Sequence, residues 1–211
     1  RAAGATRSVT FTMGTHDPGL LFAGVREVVA RRIGGRHRFV LDAYDFDGVH
    51  VEHGMQREPM NAFNPSRYFA EEDGRVCINL PLGSRYIIQV LNEEKAQRPY
   101  IDKVAPFSSY YRWAVFNDPE AVLRISVRSV GFFLAAALTV TMATPNDADL
   151  VRRFGRYTAF PTLESEARHL LARKGFHTVI MGHSHVPLYR EYGRDRVYVN
   201  TGTWNATTSL D

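Results

Sequence analysis

Thr178-Val179-Ile180-Met181-Gly182-His183-Ser184-His185 is a short apolar run that stops at a glycine and is followed by two histidines one residue apart. Four apolar residues bounded by a turn signal read as a buried strand. The Gly-led turn then aims both imidazoles into the space beyond the strand's carboxyl end, where open α/β sheets bind their ligands. Neutral imidazole is a donor for divalent transition metals, so His183 and His185 are candidate metal ligands. Taken alone, the pair is a weak signal and reads more readily as two polar loop histidines.

The flanks of this run extend the α/β pattern. Upstream, Thr162 is a plausible N-cap, Glu164 and Glu166 suit a first helical turn, and Lys174-Gly175 closes the helix. Downstream, Leu188–Tyr192 and Arg196–Asn200 read as a hairpin around Gly193-Arg194-Asp195. At the other end of the chain, Val9–Met13 reads as a strand running into Gly14-Thr15-His16-Asp17, with an amphipathic helix over Leu20–Arg32 closed by Gly34-Gly35. Arg38–Tyr44 and Val49–Glu52 read as two strands around Asp45-Phe46-Asp47-Gly48, the second ending at His53-Gly54. Three strand ends thus carry histidine. Between the two flanks the pattern changes to aromatic-rich loops, a helix from near Ser84 with Ile87, Ile88 and Leu91 on one face, and a long apolar helical region. The expected organisation is one α/β unit from 1–60 and 161–211, split by a largely helical, aromatic-rich insertion or lid over 61–160.

Hydrophobic residues make up 45% of the 211 and charged residues 23%, which excludes wholesale disorder. Cys77 is the only cysteine, so an intrachain disulfide and a thiolate zinc knuckle are both excluded, and its apolar neighbours suggest a small buried hydrophobe. A formal charge of +4 favours an anionic partner. No dense Lys/Arg block stands out, so nucleic acid is the least supported partner. His37, His50, His169 and His177 have no partner at ligand spacing and are read as structural.

The segments Gly14-Thr15-His16-Asp17, His53-Gly54 and Gly182-His183-Ser184-His185 resemble the third, fourth and fifth motifs of the calcineurin-like metallophosphoesterases, Gly-Asn-His-Asp, His-Gly and Gly-His-x-His. Asn200-Thr201-Gly202-Thr203-Trp204 resembles the strand-end segment that follows the fifth motif in many members. The resemblance implies a layered β-sheet sandwich flanked by helices. It implies two divalent metal ions, with manganese, zinc or iron expected, and hydrolysis of a phosphate ester or phosphoanhydride by hydroxide activated between them. His53 and His183 would bind one metal and His185 would help bind the other. Thr15 stands at the family's Asn ligand position. His16 would be the acid at the leaving oxygen, with Asp17 orienting it. The family's first two motifs, Asp-x-His and Gly-Asp-x-x-Asp, precede the third, and Arg1–Met13 contain neither Asp nor His. The expectation is that an upstream segment carries them. The alternative is a non-catalytic metal-binding or scaffold module with a degenerate phosphoesterase fold.

Val130–Ala143 is an uncharged run of 14 residues, short of the about 20 needed to span a bilayer. A buried helix of the insertion is the first expectation, and an apolar lid or membrane-surface element the second. Phe107, Tyr110, Tyr111, Trp113 and Phe116, with Arg112 among them, would rim such a surface. The expected substrate is a phosphorylated small molecule or, if that surface is apolar and by analogy with the UDP-diacylglucosamine pyrophosphohydrolase branch of that superfamily, a lipid-linked phosphate. The expected location is cytoplasmic, with peripheral membrane contact.

Overall fold

The computed structural model describes residues 8–101, 103–104, 107–142, 162–173 and 175–203, and within them the fold is mixed α/β. Lys174, Trp204 and the expected boundary at 160–161 lie outside the described residues.

β1 (Ser8–Thr12) and β2 (Arg36–Val40) form a parallel pair, with Ser8 opposite Arg36 and Thr12 opposite Val40. Parallel strands need a crossover, and here it is a 3-10 turn at Pro18–Leu21 followed by α1 (Ala23–Ile33). The helix expected from Leu20 starts at Ala23 instead. Pro18 opens the 3-10 turn, which holds the buried Leu20 and Leu21, while α1 itself buries no residue. The strand expected over Arg38–Tyr44 is two strands, because the chain bends at Leu41-Asp42. β3 (Ala43–Phe46) then pairs antiparallel with β4 (Val49–Glu52). Their turn residues Asp47 and Gly48 have φ of 44° and 74°, and Asp-Gly suits a turn with two positive φ angles.

The segment expected to open as loops contains a hairpin, β5 (Phe69–Glu72) and β6 (Arg75–Ile78). After it come α2 (Leu82–Tyr86), a π-helical segment Ile87–Leu91 and α3 (Asn92–Lys95). The π turn changes the helical phase. Val90 is buried while Ile87 and Ile88 are exposed, so the expected Ile87/Ile88/Leu91 face is not the buried one.

α4 (Phe107–Asn117) and α5 (Pro119–Met142) complete the insertion. Ile125 packs with Ile101, Val104, Tyr110 and Ala114. Arg124 and Arg128 pair with Glu94 and Glu93, and the Ser126 and Ser129 hydroxyls hydrogen-bond to Tyr111 and Tyr86. The outer face leaves Leu123, Val127, Val130, Leu134 and Leu138 60–67% exposed. The expectation of a buried helix is overturned. Pro119–Leu138 is long and apolar enough to cross a membrane, with mean hydropathy 1.7, and only 11% of the apolar window is buried.

α6 (Leu163–Arg173) returns the chain to the main sheet, and the Thr162 hydroxyl accepts the Ser165 N–H at 3.3 Å as its cap. β7 (Thr178–Met181), β8 (Pro187–Glu191) and β9 (Val197–Thr201) follow, giving the order β3-β4-β7-β9-β8. β4, β7 and β9 are parallel, with β3 and β8 antiparallel at the edges. α6 buries Ala167, Leu170 and Leu171 against Val179, Met181 and Tyr198. Each buried Leu there contributes about 1.5–3 kcal/mol.

Candidate functional site

Parallel strands in register end at the same edge. Val51 stands opposite Ile180, and Met181 opposite Asn200, so His53, Gly182 and Thr201 emerge side by side. The Gly182 N–H donates to the His53 carbonyl at 3.0 Å, one step beyond the ladder. The β1 loop reaches the same place through a second core, in which Met13 and Met55 are buried with Leu20, Leu21 and Phe63. Met13 immediately precedes Gly14 and Met55 immediately follows Gly54, so this core anchors both loops. A side chain at Gly14 would lie 2.6 Å from the His53 ring, so glycine permits the close approach.

The four predicted histidines come together. The His53 and His183 ring centroids are 5.1 Å apart, and those of His16 and His185 are 5.7 Å apart. His183 and His185 have φ of 67° and 59°, a left-handed conformation costing about 1–3 kcal/mol at each residue. Their turn is held by side chains and backbone together. Asn200 Nδ2–H donates to the Gly182 carbonyl at 2.7 Å, and the Ser184 N–H donates to the same oxygen at 2.8 Å. Thr15 and His16 form the turn after β1. The Asp17 carboxylate accepts the Gly14 N–H at 2.6 Å, a bond that braces the loop presenting His16.

Two features escaped the sequence reading. Glu58, delivered by the 3-10 turn Met55–Arg57, lies 2.5 Å from His183 Nε2, and Asn61 donates to the same carboxylate at 2.7 Å. These contacts hold the Glu58 carboxyl below its usual range, His183 contributing most. The second is a charged network beside the site, buried at His50 and Glu52 and open to solvent at Asp45. His50, assigned a structural role without a named partner, lies 2.5 Å from Asp45 and 3.1 Å from Glu52. Arg57 donates twice to Glu52, at 2.7 and 2.8 Å, so it is an internal cation rather than a solvated or substrate-facing one. Gln56 accepts the Gly54 N–H and donates to the Asp42 carbonyl, while Asn64 accepts the Ser66 N–H as a turn former.

Burial, and then the neighbouring His183, His16 and His185, push the His53 imidazole down to about 4. Burial, His16 and His183 also lower His185. Both rings are therefore neutral near pH 7. His53 Nδ1 is buried without a hydrogen-bond partner, an unsatisfied nitrogen on a ring of the cluster. This donor chemistry fits a divalent transition metal. The donor count does not complete a two-metal centre: among the described residues no three His, Cys, Asp or Glu side chains form a group able to hold an ion. The residues present amount to nitrogen donors in pairs, and the nearby carboxylate, Glu58, is engaged with His183.

No protein-family model, curated protein or solved structure matches the chain.

Proposed function

We propose that the four-histidine edge is the nitrogen-donor part of a metal-dependent phosphoesterase site of the calcineurin-like metallophosphoesterase type, acting on a phosphate ester or phosphoanhydride. One observation carries this reading: three strand-end segments distant in sequence bring His16, His53, His183 and His185 to one edge. Histidines from three separate segments converge on one edge, and two of them, His53 and His185, have lowered pKa values, an arrangement that suits nitrogen donation to a metal.

His53 and His183 are the residues to hold one ion, and His185, with Thr15 beside it in role, to help hold a second. A divalent metal supplies Lewis-acid charge to a phosphoryl oxygen and to water. The rest is the work of this chain's own groups. His16 is exposed at the mouth of the cluster, where its ring can give a proton to a departing oxygen. Asp17 holds the loop on which His16 stands. The left-handed turns at His183 and His185 fix both rings before any ligand arrives.

The exposed stripe of α5 supports peripheral contact of the same protein with a membrane surface. A second reading, a non-catalytic metal-binding or scaffold module, is favoured by the incomplete ligand group among the described residues.

The deciding measurement is hydrolysis of chromogenic phosphomonoesters and phosphodiesters with added manganese, beside His183→Ala and His16→Ala. The expected result is activity that both variants lose. A folded, metal-loaded protein inactive on these and on nucleotide and lipid phosphates would overturn the hydrolase and leave the module.

A further inference from the structure

A groove of about 590 Å³ lies between the β5–β6 hairpin and the helix that follows it, and none of the four histidines lines it. One wall is a single face of the hairpin. Ala70 and Glu72 alternate on β5, and Cys77 stands opposite Ala70 in register. The other wall is Arg85, Ile88 and Gln89, spaced to share one side of a helix. Ile78 and Leu80 belong to the lining and pack against the Met13/Met55 core, which makes that part of the groove fixed. Phe22 and Ile88 border it while remaining 36% and 52% exposed.

Facing elements in a folded protein ordinarily interdigitate to close packing. Here a hairpin face and a helix face stand apart by a volume within the range of small-molecule sites, about 300–1,000 Å³. The helical wall includes part of the π segment Ile87–Leu91, and such widened turns recur at functional sites.

The polar groups give the ligand its sign. Among the described residues Arg85 makes no ion pair, and Gln89, one helical turn away, adds an amide donor. Glu72 is the opposing charge in the lining, but it stands opposite Arg75 in the hairpin register, so it has a cation for a neighbour. A permanently charged guanidinium beside apolar walls suits a carboxylate or phosphate head attached to a hydrocarbon tail.

We propose that this groove binds a single-chain amphiphile in monomeric form, its tail between Ala70, Cys77, Leu80 and Ile88 and its anionic head on Arg85 and Gln89. The assignment is independent of the phosphoesterase reading. Cys77 is the only cysteine, so its alkylation by a maleimide reports occupancy directly. Laurate, kept below its micellar concentration and at ten times its dissociation constant, slows labelling roughly tenfold. Butyrate does not. Arg85→Glu leaves the labelling of the free protein unchanged and abolishes the protection. Calorimetry of laurate binding to Ala70→Phe, whose added ring fills the groove, gives no heat of binding, while circular dichroism shows the variant folded. The proposal is overturned if laurate neither protects nor binds, or if dodecanol protects wild type and Arg85→Glu equally. It is also overturned if only phosphatidylglycerol vesicles protect, which would mark a membrane surface instead.

Discussion

His50 lies inside β4 and His53 just past its end, yet their surroundings are opposite. His50 is 4% exposed between Asp45 and Glu52. The hydrogen bond to Glu52, opposed by burial and helped by Asp45, raises its pKa. His53 is half-buried beside three other imidazoles and is pushed down to about 4. The first has anionic oxygen on both ring nitrogens, while the second keeps a buried ring nitrogen without any partner. Carboxylate neighbours raise the pKa of a buried histidine that fastens a hairpin; burial and imidazole neighbours lower that of one at the sheet edge. Residue type is shared and burial differs only in degree, His50 being buried and His53 half-buried, so neighbour chemistry is what separates structure from site.

The most damaging way to break the His50 side is Glu52→Ala. Glu52 is the shared carboxylate of His50 and Arg57, and its removal leaves the Arg57 guanidinium without its carboxylate partner and His50 with Asp45 alone. The expected cost is about 4 kcal/mol of stability by urea denaturation. A loss below about 1 kcal/mol would mean that water replaces the carboxylate and the network is not structural. On the other side, His53→Ala is expected to reduce phosphoester hydrolysis at least ~100-fold, while His50→Gln stays within about threefold per folded molecule. Equal losses in the two variants would erase the distinction.

Acid sharpens the same contrast. In metal-stripped protein, His53 has a folded pKa near 4 against 6.5 for the unfolded chain. The unfolded state therefore binds more protons as pH falls from 6.5 to 4, and stability drops across that window. Allowing for the ring's partial exposure, the loss is about 2 kcal/mol. His50 has the opposite sign: its raised pKa gives stability that is full below pH 6.5 and lost as pH rises through the folded value. Glu52, lowered in the folded state, adds stability that is present above 4.5 and lost as pH falls through its folded pKa. Urea denaturation from pH 7 to 4 is expected to show wild type losing more stability than His53→Ala. Parallel curves would mean that the His53 ring is not held neutral by its neighbours.

The strand ends were legible because each combines a short apolar run with an abrupt glycine or histidine, and local periodicity marks such ends well. The β3–β4 hairpin was legible from Asp47-Gly48. Its register also places Asp45 opposite His50, so half of the His50 network was written in the hairpin and went unread. Glu58 and the outward face of α5 were not legible. Glu58 meets His183 only when two segments far apart in sequence meet in space, and an apolar helix reads alike whether protein covers it or not. The β5–β6 hairpin was hidden by its own chemistry, since Glu71, Glu72 and Arg75 break the apolar alternation of an exposed two-stranded ribbon.

The smallest effect tests how the site side of the contrast is held. Asn200 is buried, donates to the Gly182 carbonyl, and accepts the Gly202 N–H at 3.0 Å. Asn200→Ala removes the side-chain bond on the carbonyl that precedes the left-handed His183. The expected cost is about 1–2 kcal/mol of stability, with turnover falling roughly tenfold as the histidine turn relaxes. Asn200→Asp keeps the acceptor for Gly202 and loses the donor for Gly182, so it separates the two bonds. If both variants lose turnover, the Gly182 bond positions the rings. If Asn200→Ala loses stability while turnover and manganese affinity are unchanged, the backbone bond from Gly182 to His53 holds the turn unaided. Asn200 then belongs with His50, as part of what keeps the sheet together rather than part of what the sheet presents.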